Sequence, residues 1–169
     1  MTTREVIVMT CAYAIALVAV AYLTRATSRR VVGALAGGAV AGWLMLGAIT
    51  LGMALGWWRV SLSSTPGFLA LFYAGAAISW SPAYLVTWRV ARRFGGRGLA
   101  ACLLIAGVIG PPRDYLFAAK YPRWMVFAPG ASPVLAVAAT YAGILAVGHA
   151  VMRLVAGPAR EDSLTRRPA

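Results

Sequence analysis

The sequence predicts an all-α integral membrane protein, a bundle of five transmembrane helices. Three observations predict it. First, 61% of the 169 residues are apolar, not counting 18 glycines, and 12% are charged. Ordinary soluble domains are about 45–50% apolar and about 25% charged, so a soluble globular domain is excluded, as is a disordered chain. Second, the apolar residues fall in uncharged runs of about the ~20 residues that cross a ~30 Å hydrocarbon core. Third, the cations stand at the ends of those runs, where membrane orientation requires them.

The chain divides into spans at about 6–24, 31–58, 67–88, 98–119 and 133–152. The first, second, third and fifth are uninterrupted. The second is long enough to tilt or to overshoot one interface. The fourth is irregular. Gly98 to Gly110 is apolar but gives only about 20 Å of helix, and Gly110-Pro111-Pro112-Arg113-Asp114 follows it. This helix is therefore expected to be short and broken at the Pro-Pro, with an outer interfacial segment after it. Residues 1–156 form a single transmembrane domain, and 157–169 read as a disordered cytoplasmic tail.

Orientation comes from the arginines. With the amino end outside and five crossings, eleven cations lie inside, in clusters at Arg25–Arg30, Arg89–Arg97, Arg153 and the tail. Five lie outside: Arg4, Arg59, Arg113, Lys120 and Arg123. The opposite orientation inverts that bias. Cleavage of the first span as a signal peptide at Ala19-Val20-Ala21 would strand Arg25, Arg29 and Arg30 outside. The expectation is a multi-pass protein of a bacterial inner membrane, amino end out and carboxyl end in. The net charge of +12 forms no groove or stripe, so no nucleic acid is expected. Membrane lipids are the expected partners, through anionic headgroups.

The second span carries Gly33/Gly37, Gly38/Gly42 and Gly52/Gly56, each pair four apart. Each pair makes a notch in which another helix can approach closely. At 100° per residue, Gly33 and Gly37 lie opposite Gly38 and Gly42, which suits a helix central in the bundle. A seam of a homo-oligomer or larger membrane complex through this helix is the alternative.

In the third span, Pro82 removes one amide and frees a carbonyl four residues back. Ser79, Ser81 and Tyr84 around it could line a small polar pocket, or simply satisfy a kink. The richest stretch is 110–133, with five prolines and the aromatics Tyr115, Phe117, Tyr121, Trp124 and Phe127. Pro112 and Asp114 fit the first turn of a short helix along the outer interface, with Lys120 and Arg123 snorkelling. Asp114 is also the one carboxylate between Glu5 and Glu161. A lone carboxylate near membrane depth needs a partner, and Arg113, Lys120 and Arg123 are the local ones. Together they could hold a lipid or anionic ligand. Asp114 is the best catalytic candidate should the protein be an enzyme.

His149 is the single histidine and, on this topology, lies about a membrane thickness from Asp114. It makes no metal or haem site by itself. Cys11 and Cys102 face different leaflets and cannot pair. Walker, GxGxxG, GxSxG, HExxH and CxxC motifs are all absent, so no metal and no cofactor is expected. Three function classes stay open. The leading one is a non-enzymatic subunit or scaffold that binds a lipid or anionic ligand at Arg113/Asp114. The others are a small transporter or channel, with polar candidates Thr50, Tyr73, Ser79, Ser81, Tyr84, Thr140 and Tyr141, and a membrane-embedded enzyme acting through Asp114 on a lipid or isoprenoid-like substrate.

Overall fold

The computed structural model describes residues 3–61 and 67–157, so the tail expected beyond Gly157 lies outside the described residues. The chain is almost entirely helical: α1 (Thr3–Thr24), α2 (Ser28–Ala54), α3 (Phe68–Lys120) and α4 (Ala131–Ala156). Two three-residue strands, β1 (Trp58–Val60) and β2 (Met125–Phe127), pair antiparallel, with Trp58 opposite Phe127 and Val60 opposite Met125. All four helices are long and apolar enough to cross a membrane. The fold is thus that of a helical bundle compatible with a multi-pass membrane protein.

α2 is the central helix, and its glycines are the reason. A Cβ on Gly33 would stand 2.9 Å from the Cβ of Ala156, and one on Gly37 2.5 Å from the carbonyl of Gly148, both on α4. On the other side, a Cβ on Gly38 would overlap the carbonyl of Ala77, and one on Gly42 would press on the Tyr73 ring, both on α3. The notches are therefore filled from within the chain, by α4 on one side and α3 on the other. The core lies along these seams and includes Trp88, Tyr84, Leu85 and Met152, all buried. α1 buries only Val6, Leu17 and Thr24 and presents much of its surface outward.

α2 stops four residues before the predicted end of its span. Gly56 turns the chain with a positive φ of 71°, a conformation that glycine adopts without steric cost. The Trp58 ring then folds back on Gly52, where a Cβ would overlap it, and its Nε1 donates to the Ile49 carbonyl at 3.2 Å.

α3 corrects the sequence expectation. Straight, its 53 residues would extend about 80 Å, more than twice a hydrocarbon core. The one non-helical residue inside it is Gly95, with φ 61° and ψ −145°. A Cβ on Gly98 would lie 2.9 Å from the Val90 carbonyl, although eight residues along a straight helix separate by about 12 Å. The chain therefore folds back at Gly95 into limbs 68–94 and 96–120. Phe72, near the start of the first limb, meets Trp124, just past the end of the second, at 6.2 Å between ring centres.

The expected break at Pro111-Pro112 is not there: the helix runs through both prolines. Proline's fixed φ of about −65° is itself helical, and what is lost is an amide and room beside the carbonyl four residues back. For Pro111 that residue is Gly107, whose missing side chain lets the backbone yield, while Gly110 lies flat against the Tyr141 ring. The expected interfacial helix beginning at Pro112 is absent as well. Asp114 sits inside α3 rather than at a helix start, and 121–130 holds a turn and β2.

Candidate functional site

The two ends of the bundle differ. At one, here called the strand end, β1 and β2 lie over the start of the first limb of α3 and the end of the second. At the other, the arginine end, Arg30 reaches the Gly157 carbonyl at 2.7 Å, near the fold-back of α3.

A partly open cavity of about 150 Å³ lies toward the strand end. α1 contributes Val6, Met9, Thr10 and Tyr13, and α2 contributes Met45 and Ile49. The first limb of α3 contributes Phe72, Gly75, Ala76 and Ser79; the second contributes Arg113, Asp114 and Phe117. Val60, Trp124, Met125 and Tyr141 complete the lining. Most of the wall is apolar because α1, with little packing of its own, leans on α3 over small residues. A Cβ on Gly75 would come within 2.7 Å of Thr10 Oγ1.

The polar edge is one hydrogen-bonded cluster. Arg113 Nη1 donates to Asp114 Oδ1 at 3.1 Å and also to the Tyr141 hydroxyl. Arg113 Nη2 donates to the Tyr13 hydroxyl at 3.2 Å. The Tyr141 hydroxyl in turn donates to Asp114 Oδ1 at 2.6 Å. Oδ1 thus accepts twice, while Oδ2 accepts no bond among the described residues. The cluster is electrically neutral, one guanidinium against one carboxylate, with two phenols fixing the geometry. Trp124 on the same wall is buried, and its indole Nε1 has no partner among the described residues.

Of the residues the sequence offered for ligand binding, Arg113, Asp114 and Ser79 line this cavity. Lys120 does not pair with Asp114; its Nζ lies over the Tyr121 ring, 5.5 Å from the centre. Arg123 is exposed, and the one ion pair of Asp114 among the described residues is with Arg113. Tyr84 and Ser81 are core residues away from the cavity. Tyr84 donates to the Ile144 carbonyl at 3.1 Å, and Ser81 to Ala34 and Ala77 at 3.2 and 2.9 Å. Ser79 donates to Ala76 at 2.9 Å. Thr50, Tyr73 and Thr140 likewise donate to the carbonyls of Leu46, Ala39 and Ala136. These hydroxyls are satisfied one by one and do not join into a polar line.

Tyr13 and Trp124 were missed as site residues, and Tyr141 was read only as part of a polar path. Tyr13 lies 100 residues from Arg113 and Tyr141 lies 28 away, so no local spacing links them. The one available signal was the rarity of polar groups inside apolar runs, each of which needs a partner. His149 is buried near the arginine end, and Cys11 and Cys102 are free. Among the described residues, no group of three or more His, Cys, Asp or Glu gathers to hold a metal ion.

Comparison with known proteins adds no assignment: no family model, no curated protein and no solved structure matches this chain.

Proposed function

We propose that this chain is a small membrane protein that holds a lipid-like molecule with a small, uncharged polar head in the cavity at the strand end. One observation carries the reading: a mostly apolar cavity, partly open, ends on the neutral Arg113–Asp114–Tyr141–Tyr13 cluster. About 150 Å³ is the size of a cavity that takes a benzene-sized group. A ring or one branched unit of a ligand enters, and its tail stays among the lipids. Because the Arg113 charge is already matched by Asp114, a free anion gains little there. A hydroxyl can donate to Asp114 Oδ2, and a carbonyl can accept from the unpartnered Trp124 indole.

The reading carries a topology. The chain crosses five times, the limbs 68–94 and 96–120 counting separately, in a bacterial inner membrane. The amino end and the cavity are outside, and the arginine end is cytoplasmic. Cysteines introduced at Thr3 and Arg97 test it. Labelling of residue 97, and not residue 3, from outside intact cells reverses the orientation.

The binding test uses farnesol and farnesyl phosphate as probes on the purified chain in a maltoside micelle, read by intrinsic tryptophan fluorescence. Farnesol is expected to bind at least as well as the phosphate. Thr10→Trp, which fills the cavity, should abolish binding while the chain stays folded. Equal farnesol binding by wild type and Thr10→Trp rejects the site.

One observation favours a second reading, an enzyme on the same ligand. Tyr141 and Asp114 share a hydrogen bond facing an apolar space, an arrangement suited to moving a proton. Asp114→Asn separates the two. A binder keeps farnesol affinity within a few-fold, whereas an acid–base enzyme loses turnover while still binding.

A further inference from the structure

The arginine end holds a second constellation, independent of the cavity. Trp88 is 1% exposed and Arg30 is 1% exposed. The Arg30 guanidinium carbon lies 5.3 Å from the centre of the Trp88 ring, and that of Arg92 lies 5.8 Å from it. Thr27, the residue before α2, has extended backbone and its side chain does not cap the helix. Four buried polar atoms here have no hydrogen-bond partner among the described residues: Thr27 Oγ1, Trp88 Nε1, Arg92 Nη1 and His149 Nδ1. His149 is 3% exposed, and Arg153 and Arg30 are the charges that act on it.

Buried polar groups in folded proteins are rarely left unpaired, because each forfeits the bonds that it made with water. Three of them, the Thr27 hydroxyl, the Trp88 indole and the Arg92 guanidinium, can donate, and an acceptor with several oxygens satisfies them together. The acceptor is best an anion, because one of the orphaned donors is the Arg92 guanidinium and the carboxylates among the described residues, Glu5 and Asp114, both lie toward the strand end. The first amides of α2 also open here, and such amides favour negative charge. Exposed Arg29, Arg89 and Arg93 surround the place and would draw an anion to it.

We propose that the arginine end binds a phosphate group, seated where Thr27 and Arg30 at the start of α2 meet Trp88 and Arg92 of α3. Arg92 is only half-buried, so it is the side chain that turns to close on the phosphate from the rim. A phosphate, with more oxygens than a carboxylate, accepts from the hydroxyl, the indole and the guanidinium together. A lipid headgroup and a soluble phosphate share this chemistry.

The test uses the full chain in a maltoside micelle, which carries no phosphate. Phosphatidylglycerol added to the micelle is one probe and inorganic phosphate is the other, each against chloride at matched ionic strength. Thermal midpoint and binding isotherm are the readouts. Wild type should be stabilised by at least one probe: by the lipid alone if the source is a headgroup, by both if it is any phosphate. Trp88→Phe keeps the ring and removes the indole donor, and Arg92→Gln removes the charge. Each should weaken binding about tenfold, as expected for one charge-assisted hydrogen bond, with the unliganded midpoint kept. Arg97→Gln, which removes an exposed cation at the same end, should bind as wild type. The proposal fails if neither probe stabilises the chain, or if Arg97→Gln weakens binding as much as Arg92→Gln, which marks diffuse attraction. It also fails if Glu161→Gln/Asp162→Asn destabilises the chain and neither probe restores it, which assigns the place to the chain's own tail.

Discussion

At the strand end, one guanidinium and one carboxylate meet between two phenols, and the charges cancel. At the arginine end, Arg30 and Arg92 flank a single indole ring, with no carboxylate among the described residues. Both ends place arginine where apolar contacts dominate. The first matches charge with charge, so removing one member exposes the other. The second spreads positive charge over an aromatic face and leaves the Trp88 indole and one Arg92 nitrogen without a partner among the described residues. Internal neutrality suits a site for an uncharged head, and unspent donors suit a site for an anion.

The largest effect should come from the wall that both ends share. Gly38→Leu drives a side chain into the Ala77 carbonyl and against Ser81 Oγ, 2.7 Å from the would-be Cβ. The loss should be on the order of 3 kcal/mol, the upper range for overpacking, with both ends loosening together in detergent-resistant folded yield. Gly47→Leu meets nothing within 4 Å and should behave as wild type. If Gly38→Leu unfolds only one end, the ends are not coupled through α2.

Next is Arg113→Met. It leaves Asp114 unpaired on a cavity wall, and a fully buried pair broken this way loses about 3–5 kcal/mol. Arg113 keeps 46% of its side chain exposed, so about 2 kcal/mol is expected here, again after discounting for solvent screening. Arg113→Met/Asp114→Asn should recover most of it by thermal melting. A double variant no better than the single shows that Arg113 does not act through the charge pair. The contrast is with Arg92→Gln, where losing a charge that faces no carboxylate should change the unliganded midpoint by less than about 0.5 kcal/mol.

The smallest effect separates the two phenols. Tyr141→Phe removes a donor to Asp114 and an acceptor for Arg113, and should lose about 1–2 kcal/mol. Tyr13→Phe removes one bond at 3.2 Å and should lose about 0.5 kcal/mol. Equal losses from the two would mean that Tyr141 does not hold the carboxylate in place.

Much of this was legible in the sequence, for physical reasons. A run of apolar residues long enough to cross has few alternatives to a helix, so the helices followed from composition. The glycine spacing of α2 marked a helix notched on two sides, and both sides are filled. Arg113 and Asp114 were legible as partners because they adjoin. The fold-back at Gly95 was legible only as the arginine-bearing gap between the spans 67–88 and 98–119, since its sharpness depends on a left-handed backbone angle that Gly95-Gly96 permits but does not require. The Pro-Pro misled because a local rule gave way to packing, with Gly107 and Gly110 making room. Tyr13 and the β1–β2 pair were not legible, because each joins segments that only the folded bundle brings together.

That strand pair also constrains the order of assembly. Residues 58–60 find their hydrogen-bonding partner only at 125–127, with the whole of α3 between. In a chain synthesised from its amino end, the edge of β1 stays open until both limbs of α3 have been made. The pair can close only once α3 has folded back. Chains stalled before residue 125 should therefore show fast amide exchange at 58–60 while helical amides of α1 and α2 are already protected, so the strand pair marks the fold-back of α3 rather than an early nucleus.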